Sequence, residues 1–153
     1  MSVWKQEKHS LWIRRGLGVL VASLSLLASP VMKGQANQAK QPWYAPRQAR
    51  ELRNPVAVSP QGMKSAADLY KQNCVICHGK TGASNGPAAE SLPQKPANFT
   101  DEKMMRKATD GELFWKITTG RAPMPSWEDK LSEAQRWQLV NYLRMLAMHN
   151  TDT

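Results

Sequence analysis

Cys74-Val75-Ile76-Cys77-His78 is the stretch whose residue types and spacing dictate a particular chemistry. Two thiols three positions apart, followed at once by a histidine, form the attachment signature for c-type haem. Each thiol can add across one of the two vinyl groups of the same macrocycle, and two intervening residues match the distance between those vinyls. His78 then falls beneath the iron with a ring nitrogen placed to ligate it. The chain has two cysteines and both lie in this motif, so none is left for a structural disulfide. Cys-x-x-Cys alone also fits a redox disulfide or half of a zinc site. The adjacent histidine and an export-type N-terminus favour haem over both.

Positioning such a motif falls to a chain of 153 residues, enough for one domain. With 21 Lys and Arg against 12 Asp and Glu it is basic, yet the cations are scattered in ones and twos. That scatter, in an exported chain, argues against nucleic acid and for a docking face toward an acidic protein partner or anionic lipid. Residues 1–15 carry Lys5, Lys8, Arg14 and Arg15 against Glu7, and residues 16–32 are uncharged and mostly apolar. Gly34-Gln35-Ala36 then offers a peptidase site, so residues 1–36 read as a secretory signal. The apolar run, about 17 residues, sits at the lower limit for a spanning helix, which keeps an uncleaved N-terminal anchor as the alternative. Cleavage after Ala36 would leave 16 basic and 11 acidic residues.

Residues 37–61 hold Pro42, Pro46, Pro55 and Pro60 and read as a proline-rich extended arm. Its apolar exceptions are Trp43, Tyr44 and Leu52, with the domain surface or a partner as their contact. Residues 62–153 form the expected domain. Ala66, Leu69, Tyr70 and Asn73 share a helical face that leads into the cysteine motif. Residues 79–97 carry too many Gly and Pro for regular structure, and wrapping the edge of a flat cofactor would explain so long a loop. Residues 100–107 suit a short helix, with acids first and bases last. Thr109-Asp110-Gly111-Glu112 and Ser132-Glu133-Ala134-Gln135 read as capping boxes, the first for a helix ending near Gly120, the second for a long one reaching about His149. Trp137, Val140, Tyr142, Leu143, Leu146 and Ala147 supply the buried side of the last. No strand alternation competes, so the fold class is all-α, with three to five helices wrapped around one haem.

Residues from about 62 to 147 resemble the class I c-type cytochromes, above all the bacterial monohaem domains found as soluble carriers and as subunits of respiratory complexes. Four features in order carry the resemblance: Cys74 to His78, Gly86-Pro87, the Met124-Pro125 loop, and a terminal helix with Tyr142-Leu143. Together they cover a little over half of the chain. The resemblance implies that the Pro87 carbonyl accepts a hydrogen bond from the proximal His78 and fixes its ring. It also implies a glycine and an aromatic in the first helix where this chain has Ala66 and Tyr70, so the crossing with the last helix should be slightly wider.

Met124 is the expected sixth ligand, on the resemblance and on its setting between two prolines that stiffen the loop. A thioether there favours Fe(II) over Fe(III) and raises the potential. Met104, Met105, Met145, Met148 and His149 are rivals on probable helices or near the chain end, and His9 would leave with the signal. The cofactor-binding set is therefore Cys74, Cys77, His78, Met124 and Pro87, with His78 and Met124 on the metal. Trp115 and Trp127 could approach the haem or simply pack. Lys71, Lys80, Lys95 and Arg121 flank the haem and Met loops, as a basic ring or as ordinary solvated charges.

The expected function is single-electron transfer by one covalent haem c cycling between Fe(II) and Fe(III), not an enzyme reaction. No small-molecule substrate is involved, and the partners are redox proteins with acidic docking surfaces. The setting is the periplasm or the outer face of the cytoplasmic membrane. Two other readings stand beside it. A fixed subunit of a membrane respiratory complex would retain its N-terminus. A haem sensor or peroxidase-like protein would have an open sixth position, bind CO rapidly and show a high-spin ferric spectrum.

Overall fold

The structure, a computed structural model, describes residues 42–148. The expected signal or anchor at 1–36, its cleavage site, His9, His149 and both ends of the chain lie outside the described residues. Among the described residues there are six α-helices and no strand: α1 (Arg47–Arg50), α2 (Pro60–Asn73), α3 (Val75–His78), α4 (Glu102–Lys107), α5 (Asp110–Thr119) and α6 (Glu133–Met148). None of these helices is long and apolar enough to cross a membrane.

The helix starts follow local side-chain chemistry. Ser59 accepts a hydrogen bond from Gly62 N, and Pro60 opens α2 at a position where its missing N–H costs nothing. Asp101 and Thr109 cap α4 and α5 through Met104 N and Glu112 N. The Glu112 carboxylate takes Lys116 Nζ at 2.6 Å. At the start of α6 the reciprocal box forms in full: Gln135 N donates to Ser132 Oγ at 3.2 Å, and Ser132 N donates to Gln135 Oε1 at 2.8 Å.

The core lies where α2 and α6 meet. Ala66 and Tyr70 from α2 are essentially inaccessible, as are Val140 and Leu143 from α6. Burying Val140 and Leu143 stabilises by about 1.5–3 kcal/mol each. The rings of Tyr70 and Tyr142 meet at 5.1 Å across the crossing. From the other side, α5 adds Leu113 and Ile117 to this core, and Phe114 stacks on Trp137 with ring centres 3.9 Å apart. Arg144 on α6 donates to Asp110, Met105 O and Ala108 O, which ties the α4–α5 junction to the last helix. Leu139 and Arg136 of α6, absent from the buried side expected from sequence, are buried as well.

The segment preceding α2 departs from the extended arm. It contains the one-turn α1 and is held to the domain. A Cβ at Gly111 would collide with Ala49 O, so only glycine lets α1 seat on the start of α5. Asn54 Nδ2 donates to Trp137 O at 3.1 Å and to Asn141 Oδ1 at 2.9 Å, and Asn141 Nδ2 returns a bond to Val56 O at 3.0 Å. The prolines break long helices in this segment, as read from sequence, and of the two contacts open to it the segment takes the domain surface.

Tyr70 joins core to site, because its buried hydroxyl donates to Gly79 O at 2.9 Å. Burial holds that phenol protonated well above its ordinary value near 10, with Cys74 and Tyr142 adding to the shift. A raised folded-state pKa gives stability that is complete below pH 10 and is lost as pH rises above it. Tyr70→Phe should therefore cost about 1 kcal/mol at pH 7 from the lost hydrogen bond. The variant should lose less stability than the wild type between pH 9 and pH 11, as urea denaturation at the three pH values would measure.

Candidate haem site

The cysteine motif follows α2 directly, through a turn at Cys74. Cys74 N donates to Tyr70 O at 2.8 Å, closing α2, and His78 N donates to Cys74 O at 2.9 Å, making the single turn of α3. Cys74, Cys77 and His78 thereby line one wall of a cavity of about 480 Å³, inside the range of roughly 300–1,000 Å³ usual for cofactor pockets. Residues 94–97 form another wall. Residues 121–125 and Trp127 line it as well, with Met124 among them. The expected loop at 79–97 does bound this cavity, and its one regular piece is a 3-10 turn at Ala89–Ser91.

His78 is oriented from two sides. Its ring stacks on Phe99 at 4.6 Å, with the planes 21° apart. Nδ1 lies 3.1 Å from Ala97 O. A carbonyl only accepts, so Nδ1 carries the proton and Nε2 is left as the donor atom for a metal. The resemblance placed Pro87 at this position, and the structure places Ala97 there instead. The reason is how the loop is pinned. Gly86 N donates to Cys77 O at 3.2 Å and Ala88 N to Ile76 O at 2.9 Å, so Gly86-Pro87 runs along the back of α3. A Cβ at Gly86 would meet Val75 O at 2.4 Å and Ile76 O at 2.5 Å, which makes glycine obligatory at this approach. Pro87 itself is exposed. Ser84 Oγ to Pro96 O at 2.7 Å and Phe99 N to Gly82 O at 2.7 Å then bring residues 96–99 over the imidazole. The sequence signal for this was Pro96-Ala97-Asn98-Phe99, an aromatic just beyond the last proline of the loop.

Of the methionines among the described residues, Met124 is the one on the cavity wall. Met105 is in the core, Met104 packs against it, and Met148 is exposed. Arg121 and Met124 face each other across a tight loop, with backbone bonds of 2.9 and 2.8 Å. Trp127 lines the cavity, whereas Trp115 stands behind Trp43, which does line it. The cations divide: Lys95 and Arg121 are on the cavity wall, Lys71 and Lys80 are exposed elsewhere, and Lys116 joins the wall from α5. Lys95 also pairs with Glu90 at 3.1 Å.

Burial, with Cys77 nearby, pushes the Cys74 thiol up to about 12. Burial also lowers His78, against the opposing pull of the Ala97 carbonyl, which favours the neutral imidazole that ligates metals. Both cysteines are free thiols. No cluster of three or more His, Cys, Asp or Glu able to hold a metal ion occurs among the described residues, so a zinc site lacks its remaining ligands. Two free thiols, an oriented imidazole and a thioether around one cavity fit a covalently held haem.

Fold and site together define an all-α domain built to carry a c-type haem. Residues 61–143 match the family described as cytochrome c oxidase, cbb3-type, subunit III, and the chain belongs to this family of cytochrome c domains, whose cofactor is covalently bound haem c. It is 31% identical over 84 residues to the Cbb3-type cytochrome c oxidase subunit FixP of Azorhizobium caulinodans, covering 54% of this chain and 27% of that protein. Against cytochrome c6 of Euglena gracilis the identity is 30% over 77 residues, 50% of this chain and 84% of the relative. A solved structure, the Kuenenia stuttgartiensis reducing HAO-like protein complex Kustc0457/Kustc0458, superposes with a TM-score of 0.55 and 28% identity over 73% of this chain and 54% of the matched chain. The chain thus spans about a quarter of FixP's length and about half of that of the complex's matched chain.

With both thiols on the cavity wall, Cys74→Ala should leave haem attached through Cys77 alone. Intact mass and the pyridine haemochrome spectrum should then report one thioether bond, and two bonds in this variant would contradict the site.

Proposed function

We propose that this domain is a single-electron carrier with one haem c ligated by His78 and Met124, working outside the cytoplasmic membrane. The observation that carries the reading is that His78 and Met124, 46 positions apart in sequence, line the same cavity as Cys74 and Cys77. When bound, the haem supplies a metal that alternates between Fe(II) and Fe(III) without making or breaking a bond to substrate. The chain's own residues do the rest. Cys74 and Cys77 retain the group, and Ala97 O with the Phe99 ring fixes the plane of His78. Met124, stiffened by Pro123 and Pro125, supplies a soft thioether that favours the reduced state. The cavity wall excludes water from the metal, which the apolar side chains of Trp43, Leu92 and Trp127 support.

A fixed place in a membrane-bound respiratory assembly is the second reading, supported by the family's description and by the likeness to one part of FixP. Both readings share an exported location and redox-protein partners. Lys95, Lys116 and Arg121 on the cavity wall suit a partner with acidic groups around its own electron-exit site.

Met124→Ala should keep its covalent haem, lose the Met-to-iron charge-transfer band of the ferric protein, and fall in potential by on the order of 0.1–0.3 V, a fraction of the roughly 0.8 V span that axial ligands command. An unchanged spectrum would mean that the sixth ligand is another residue. Electron-transfer rates with an acidic redox partner should fall as salt rises from 10 to 150 mM, because charge steering is screened over that range. A rate independent of salt would contradict the docking assignment.

A further inference from the structure

We propose that Trp43, from the segment that precedes the haem domain, is a positioning residue for Met124. It holds the upstream end of the Met124 loop shut against the cavity. This rests on Met124 being the sixth ligand, as argued above.

The segment is fixed well enough to do this. Ala45 is 3% exposed, α1 is seated on Gly111, and Asn54 is bonded to α6. Trp43 is thereby carried to the cavity wall, where its ring meets that of Trp115 at 6.1 Å and a tilt of 58°. The Arg121 guanidinium lies over the same indole at 5.0 Å from the ring centre, and Lys116 Nζ at 5.6 Å. An indole face attracts cations at this range, and tryptophan does so more strongly than any other side chain. Arg121 is in turn locked to Met124 by the two backbone bonds across the loop.

The loop's downstream end is held differently. Trp127 N donates to Ile117 O at 3.2 Å and to Thr118 O at 3.3 Å, and Ser126 Oγ donates to Thr118 O at 2.7 Å. The downstream end is thus pinned to α5 by hydrogen bonds, while Arg121 at the upstream end packs on a tryptophan from outside the α2–α6 core. Leucine at position 43 would fill part of the same volume but would present no ring face to Arg121 and Lys116. The upstream end would then release more readily, and Met124 would leave the metal more often.

Imidazole binding to the ferric holo-protein reads that release, because exogenous imidazole competes with the thioether for the same face. Trp43→Leu should bind imidazole about tenfold more tightly than the wild type, the effect expected from losing ring–cation contacts of ordinary strength. Trp43→Phe should stay within about threefold of the wild type, since a smaller ring face remains. Arg121→Gln should also tighten imidazole binding, and the double variant Trp43→Leu/Arg121→Gln should gain less than the two single changes combined. Wild-type affinity in Trp43→Leu, or strict additivity in the double variant, would overturn the proposal while leaving Met124 as ligand. Met124→Ala measured alongside separates the two ideas: if it binds imidazole no more tightly than the wild type, the ligand assignment fails and the proposal with it.

Discussion

The contact between α2 and α6 at Tyr70 and Tyr142 is the interaction on which the rest depends. Tyr70 is a core residue, an aromatic partner of Tyr142 and a hydrogen-bond donor to Gly79 at once. The first two roles fix α2 on α6. The third fixes the chain directly after His78. Because Cys74 N closes α2 on Tyr70 O and Cys74 O takes His78 N, fixing that helix sets where two thiols and an imidazole face. A motif with the right spacing on a loose helix would offer the same groups in no fixed direction. Here the core determines the direction, and the loop at 79–99 completes it by bringing Ala97 and Phe99 onto the imidazole.

The part of the cavity that holds Met124 is built by different means. α5 is held to α6 through Phe114 and Trp137, and the loop after Gly120 carries Met124 back to the cavity. The buried Arg136 contributes from beneath: its guanidinium donates to the carbonyls of Trp127, Glu128 and Leu131 and lies over the Phe114 ring. A buried cation is costly unless its donors are met; the three carbonyls all engage Nη1 and fix the chain between the Met124 loop and α6, while the buried Nε has no hydrogen-bond partner. The two parts are therefore joined through the core, which suits the proposed electron carrier, whose ligands should move little when the metal changes charge.

Much of this could be read from the sequence because its determinants are local. Asp101, Thr109 and the Ser132–Gln135 pair each act within four residues, so those helix starts were visible in the string, whereas the Ser59–Pro60 start of α2 lay inside the segment read as an arm. Cys74 to His78 was equally local, and the prolines around Met124 singled it out from methionines on helices. What was hidden depends on distance along the chain. Asn54 bonds to residues more than 80 positions away, and Gly111 is a notch for α1, so proline density alone made residues 37–61 read as an extended arm. Choosing between Pro87 and Ala97 as the acceptor for His78 likewise required knowing that Ser84 and Gly82 bind residues 96 and 99. Spacing cannot show which carbonyl of a long loop returns over a ring.

X-ray absorption at the iron edge of the purified holo-protein, recorded in both oxidation states, tests the central claim most directly. The account predicts one sulfur scatterer and imidazole nitrogen at axial distance in Fe(II) and in Fe(III), with little change between them. Absence of the sulfur in either state, or a five-coordinate metal, would contradict a His78/Met124 electron carrier.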